Sequence, residues 1–236
     1  MALPIFFIDA FDTGTSLITL NEETSKHVVQ VLRMQAGEQL NLTDGKGYLI
    51  TAEITEAHKK QCAVKIQSTI FKAQGSSKTT IAISLIKNAS RFEWFLEKAT
   101  EIGVNEIVPL ICERTERQHF RYERMKGILV SAMLQSQQVW LPVLREPVRY
   151  EDVMNLKSED SLKLIAHCEE TEKQQLSNVQ IKQSSNSIIL IGPEGDFSPG
   201  EIELALNNNF QPVALGETRL RTETAGMVAA VMMCIR

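Results

Sequence analysis

The sequence predicts an α/β protein in which a small β-rich domain precedes a parallel sheet flanked by helices. Three observations carry that expectation. Short segments with strand-like alternation crowd the first 72 residues, and a polar, glycine-containing break, Ala73-Gln74-Gly75-Ser76-Ser77, follows them. Beyond it strands alternate with helices, and the last two strands each run straight into a glycine-bearing loop and a helix, the pattern of a parallel sheet.

In the first part, Gln39–Thr43, 48–54 and 62–66 have the length and alternation of strands, with Asp44-Gly45-Lys46-Gly47 as the turn between the first two. One helix precedes them. Thr24 or Ser25 can cap it, Val28, Val31 and Leu32 fall on one face, and Gly37 follows its end. Residues 1–72 thus read as a small barrel or sandwich, and residues 78–236 as the second domain.

In the second domain, residues 79–86 form a strand. The helix 91–102 is amphipathic, with Phe92, Phe95, Leu96 and Ala99 at i, i+3, i+4 and i+7 and Gly103 at its stop. A strand at 106–112, a helix at 121–139 ended by Pro142, and a strand at 162–167 follow. Ser187–Ile191 is a β-branched run suited to burial on both faces of a sheet. Residues 211–215 make the last strand.

Composition excludes several classes. With 43% apolar and 23% charged residues among 236, the chain is neither disordered nor collagen-like. Its longest apolar stretch, 225–235, is shorter than the roughly 20 residues a membrane helix needs, so it reads as a buried helix. No basic region precedes the apolar residues at the start, and Pro4, Asp9 and Asp12 interrupt them, so a secretory signal is not expected and a cytoplasmic location is. Cys62, Cys112, Cys168 and Cys234 are scattered without ligand spacing, which argues for reduced, buried thiols and against disulfides or a metal site.

The net charge of −4 is uneven. Residues 1–77 hold seven basic against eight acidic side chains, residues 78–149 eleven against eight, and residues 150–236 seven against thirteen. The dense cluster Arg114, Arg117, Arg121, Arg124 and Lys126, with His119, Phe120 and Tyr122, is either a solvated face or a phosphate-binding surface.

Two loops carry the functional signal. Gly192-Pro193-Glu194-Gly195-Asp196-Phe197 leads into Ser198-Pro199-Gly200-Glu201, a capping box with Pro at the first helical position. Leu215-Gly216-Glu217-Thr218-Arg219-Leu220-Arg221 leads into Thr222, a candidate cap for the final helix. If the two strands are neighbours, the loops face one crevice, glycine-lined and partly apolar, suited to a nucleoside-sized ligand. No GxxxxGK[ST], GxGxxG or GxSxG motif is present, so neither a phosphate-binding loop nor a nucleophile elbow is supported.

Gly192-Pro193-Glu194-Gly195, then Leu215-Gly216 and Leu220-Arg221-Thr222-Glu223-Thr224-Ala225, resembles the C-terminal signature of the RsmE-type methyltransferases of the trefoil-knotted SPOUT class. His27 with Val31-Leu32-Arg33, residues 97–104, Glu113-Arg114-Thr115 and Gln135-Ser136 extend the resemblance over nearly the whole chain. Leu134 and Asp196 depart from it, standing where Glu and Gly are usual. The resemblance implies a PUA-like RNA-binding barrel before a knotted sheet domain. It also implies S-adenosyl-L-methionine as cofactor, a homodimer, and methylation of N3 of a uridine in 16S ribosomal RNA of the small subunit. Carried over by position, the cofactor pocket is Gly192, Glu194, Gly195, Leu215, Gly216, Leu220, Arg221, Thr222 and Ala225.

An activated methyl donor needs no covalent nucleophile, only alignment and handling of the imide proton. Arg221 is the candidate for stabilising charge on uracil oxygens; Glu223 is either a general base or a carboxylate favoured at a helix N-terminus. His27, Arg33, Arg114 and Arg117 are candidate RNA contacts. Methylation of tRNA or of a ribose 2′-hydroxyl, and a non-catalytic RNA-binding assembly factor, remain the alternatives.

Overall fold

The computed structural model describes residues 3–116, 119–154, 161–181 and 186–235. They fall into two compact units, Met1–Gln74 with Met133–Leu141, and Gly75–Ala132 with Pro142–Arg236.

In the first unit, β1 (Ile5–Phe7), β2 (Leu17–Thr19), β3 (Gln39–Thr43), β4 (Tyr48–Glu56) and β5 (Ala63–Phe71) form one sheet in the order β1-β3-β4-β5-β2. Only β1 and β3 pair in parallel. Register shifts at Thr51/Ala52 and Ile54/Glu56 bend the long β4–β5 ladder, and a bulged ladder curls. The curl encloses Leu40, Leu42, Ile50, Ile54, Val64 and Val28.

The helix of this unit, α1 (Glu22–Lys26), starts earlier than expected. Asn21 is its cap, accepting from Thr24 N at 2.8 Å, because its amide oxygen reaches the helix's free N–H groups as well as a hydroxyl would. Thr24 lies inside the helix. Ser25 serves the core, its Oγ donating to Leu20 O and accepting from Cys62 N. A π-helical turn, His27–Val31, then widens the helix and closes with Leu32 N on His27 O. That extra residue in the turn breaks the expected face: Val28 is buried, whereas Val31 is 67% and Leu32 43% exposed.

Met133–Leu141 joins this unit through its backbone. Gly47 N donates to Val139 O at 2.9 Å, Leu141 N to Gly45 O at 2.9 Å, and Trp140 Nε1 to Lys72 O at 2.8 Å. Gly47 (φ 103°) is required there, since a Cβ would lie 2.6 Å from the Trp140 ring.

The second unit contains β6 (Thr79–Ser84), α2 (Ala89–Ile102), β7 (Glu106–Ile111), α3 (Tyr122–Gln135), β8 (Val143–Leu144), β9 (Val148–Arg149) and α4 (Tyr150–Val153). It continues with β10 (Leu162–Ala166), β11 (Gln174–Gln175), β12 (Ser187–Ile191), α5 (Pro199–Asn207), β13 (Gln211–Ala214) and α6 (Thr222–Cys234). The last turn of α3 falls in the first unit. The strands run β11-β13-β10-β12-β6-β7-β8 with β9 beside β7, and every pairing is parallel. β12 is buried at all five positions, as its β-branched run requires.

Helix α2 begins at Asn88, whose side chain accepts from Ser90 N, and ends at Gly103 in the left-handed region. Helix α3 stops at Gln135 rather than at Val139: Gln137 turns left-handed (φ 56°), and the following residues pair with the loop 45–47. Helix α6 is apolar but only half buried. Gly226, Ala229, Ala230 and Met233 face inward, while Val231 and Ile235 are exposed.

Gly226 lets α6 lie against β6 and α2, since a Cβ would meet Ile83 at 2.7 Å and Phe95 at 2.8 Å. Gly226→Ala should therefore destabilise the protein by about 1–3 kcal/mol. Gly127→Ala, in α3 with open space around it, should stabilise by about 1 kcal/mol. Urea denaturation of both variants checks the pair, and equal effects would contradict the packing.

Candidate active site

Ligands in open parallel sheets sit beyond the carboxyl ends of the strands. The two loops singled out from the sequence leave β12 and β13, which are not neighbours: β10 lies between them and pairs with both. The loops converge all the same, across the end of β10. A cavity of about 380 Å³ is lined by residues 213–220 with Ala166, His167, Cys168, Lys173 and Ala225. A second, of about 280 Å³, is lined by Ile191, Gly192, Pro193, Glu194, Asp196, Arg221 and Thr222 among others. The two share Ala166, Cys168, Arg219, Leu220 and Ala225 and so form one divided crevice of small-molecule size.

The 192–197 loop is tied to three neighbouring strand ends. Asp196 stands in the left-handed region (φ 63°), which short polar side chains tolerate, and its Oδ2 accepts from Cys168 N at 2.8 Å beyond β10. Glu194 Oε1 accepts from Lys87 N at 3.1 Å beyond β6. Arg114, beyond β7, donates through Nη1 to Gly195 O at 2.8 Å and to Phe197 O at 3.4 Å. A Cβ on Gly192 would meet the Phe197 ring at 3.1 Å. The expected capping box is formed: Ser198 Oγ accepts from Glu201 N, and Glu201 Oε2 from Ser198 N. The other oxygen of Glu201 accepts from Glu113 N, and Tyr150 OH donates to the Glu201 carbonyl at 2.7 Å, which fixes the helix start to β7's exit.

The structure brings Gly192, Glu194, Leu215, Gly216, Leu220, Arg221, Thr222 and Ala225 onto this crevice. Gly195 lines neither cavity; its carbonyl holds Arg114. The final helix is not capped by Thr222, which is its first residue; Arg221 occupies the cap position without a side-chain bond, leaving its guanidinium exposed. Glu223 is buried, lines neither cavity, and pairs with Arg91 Nε at 3.6 Å. A carboxylate in the first turn of α6 also meets the positive end of the helix dipole.

The basic cluster is largely engaged within the fold. Arg114 holds the loop, Arg124 forms a two-pronged bond to Glu93 at 2.6 and 2.9 Å, and Arg121 Nε donates to His119. The Arg124 guanidinium holds the Glu93 carboxyl below the usual carboxylate range. Arg117 lies outside the described residues. His27 and Arg33 are exposed on the first unit, His27 edge-on to Phe6 and Arg33 in the left-handed region at φ 57°.

Among the crevice residues missed from the sequence are His167, Cys168, Lys173 and Arg219. Arg219 was inside the quoted loop. The others follow β10, whose end carries no glycine or proline to mark it.

An RNA methyltransferase domain model matches residues 73–234, and an RNA methyltransferase PUA domain model matches residues 20–67. The ribosomal RNA small subunit methyltransferase E of Synechocystis is 31% identical, over 90% of this chain and 71% of its own. The chain belongs to the ribosomal RNA small subunit methyltransferase E family. A probable rRNA-methyltransferase from Porphyromonas gingivalis superposes with a TM-score of 0.90 at 41% identity, covering 97% of this chain and 95% of its own. A family member from Neisseria gonorrhoeae, solved bound to S-adenosyl methionine, gives 0.88 at 27% identity, covering 98% and 97%. A PUA-like domain with a curled sheet before a mixed α/β domain with a parallel sheet, as expected from the resemblance, is the fold described above.

Arg114→Ala should raise amide exchange about tenfold over residues 192–198, the size of one lost charge-assisted hydrogen bond, and leave the first unit unchanged. Exchange in that loop equal to wild type would mean that Arg114 does not hold it.

Proposed function

We propose that this chain is a methyltransferase using S-adenosyl-L-methionine to methylate N3 of a uridine in 16S ribosomal RNA, acting in the cytoplasm as a homodimer on the small ribosomal subunit. The observation that carries this reading is the convergence of the 192–196 and 215–220 loops on one crevice beyond β10.

The residues suit the cofactor. Gly216 leaves backbone accessible, Leu215, Leu220 and Ala225 would supply apolar walls for the adenosyl group, and Lys173 Nζ is held by the carbonyls of His167 and Glu169. Bound there, the cofactor supplies an activated methyl group, so no covalent nucleophile is required of the protein. Arg219 and Arg221 stand at the mouth, both exposed and with no ion pair among the described residues. Arg221 stabilises the charge that grows on a uracil oxygen as N3–H ionises. Glu223, paired with Arg91, anchors the first turn of α6 and so positions Arg221, a role that the pairing favours over general base. On the first unit, His27, which opens the π-turn, and Arg33, which follows it, contact RNA, Arg33 at phosphate.

Support for a homodimer comes from exposed apolar side chains of the second unit, Trp94 of α2, Val231 of α6 and Ile235 just after it, at 43%, 37% and 63%. No helix among the described residues is long and apolar enough to cross a membrane.

Incubated with labelled cofactor and small subunits from a strain lacking this protein, the enzyme should yield 3-methyluridine in 16S RNA. Arg221→Ala should lower kcat about a hundredfold, the usual loss of one charge-stabilising donor. Label on a ribose hydroxyl or on tRNA, or no transfer at all, would contradict the assignment.

A further inference from the structure

His167 has no place in the chemistry above, yet it is the most anomalous polar residue of the crevice. It is 7% exposed, and neither Nδ1 nor Nε2 has a hydrogen-bond partner among the described residues. Buried polar atoms left without partners are rare, and each asks for a reason. Loose packing is not the reason. The His167 carbonyl accepts from Lys173 Nζ at 2.9 Å, and the next amide, Cys168 N, donates to Asp196 Oδ2 at 2.8 Å, so both groups of the peptide link after His167 are held. The residue lines the larger cavity together with the 213–220 segment, which includes the apolar Leu215 and Leu220.

We propose that His167 is a cofactor-positioning residue whose imidazole hydrogen-bonds a neutral polar group of the cofactor's nucleoside, a ribose hydroxyl or an adenine nitrogen. The inference rests on the cofactor reading given above. Burial, with the Lys173 ammonium nearby, pushes the imidazole pKa down, while Asp196 and Glu169 oppose this. A neutral ring offers one donor and one acceptor, which match hydroxyls and ring nitrogens. A cationic ring would offer donors only. Both nitrogens are shielded from solvent, so the contact forms as the imidazole turns into the cavity on entry of the nucleoside, while Lys173 keeps the carbonyls of His167 and Glu169 in place.

Calorimetry with S-adenosylhomocysteine and with adenosine, on the full chain and its His167→Ala and His167→Asn variants, tests this. Alanine should weaken both ligands about tenfold, the effect of one hydrogen bond, and asparagine, which keeps a neutral donor and acceptor, should restore most of the affinity. In the wild type, adenosine should shift the ¹⁵N resonances of the His167 ring, a readout that does not depend on either variant folding. Unchanged affinity in a folded alanine variant, or ring resonances unmoved by adenosine, would overturn the assignment. Wild-type protein that binds neither ligand would instead overturn the cofactor reading on which it rests.

Discussion

The parallel pairing of β10 with β12 on one side and β13 on the other is the constraint on which the site rests. It sets the exits of three strands side by side, and it leaves the middle exit to form the floor between two loops. The register is held by Asp196, whose carboxylate reaches from the β12 loop to the amide of Cys168. A side chain at this position does what glycine could not: it accepts that hydrogen bond while accommodating a left-handed backbone.

Around that link the loop is tied from further strand ends by Lys87 and Arg114. The result is preorganisation. A crevice whose backbone groups are already placed loses less ordering entropy on binding, and it aligns the reacting atoms without a moving catalytic group. The arginines at its mouth are exposed, whereas Arg91 and Arg124 pair with Glu223 and Glu93.

Much of this was legible in the residues. The capping box at Ser198 and Glu201, the buried β-branched strand at Ser187–Ile191 and the left-handed stop at Gly103 are local features, decided by a few adjacent side chains, and each was read correctly. The errors arose where distant parts of the chain decide. The order of β10, β12 and β13 is a property of the whole sheet, so the loops' adjacency could not be derived from either loop. The π-turn after Lys26 moved Val31 and Leu32 off the core face, because one added residue per turn rotates everything beyond it. Helix α3 ends early because residues 139–141 find backbone partners near Gly45 and Gly47, contacts that helical periodicity does not encode. At the site itself, the loop glycines and Leu220 were visible from motif, whereas His167 was not, since its importance lies in lacking partners that only a folded chain can supply or withhold.

The most direct measurement is a crystal structure of this chain with S-adenosylhomocysteine. The account predicts the nucleoside between the 192–196 and 215–220 loops, over the end of β10. A ligand bound elsewhere, or these loops drawn together with the crevice closed in every copy, would contradict it.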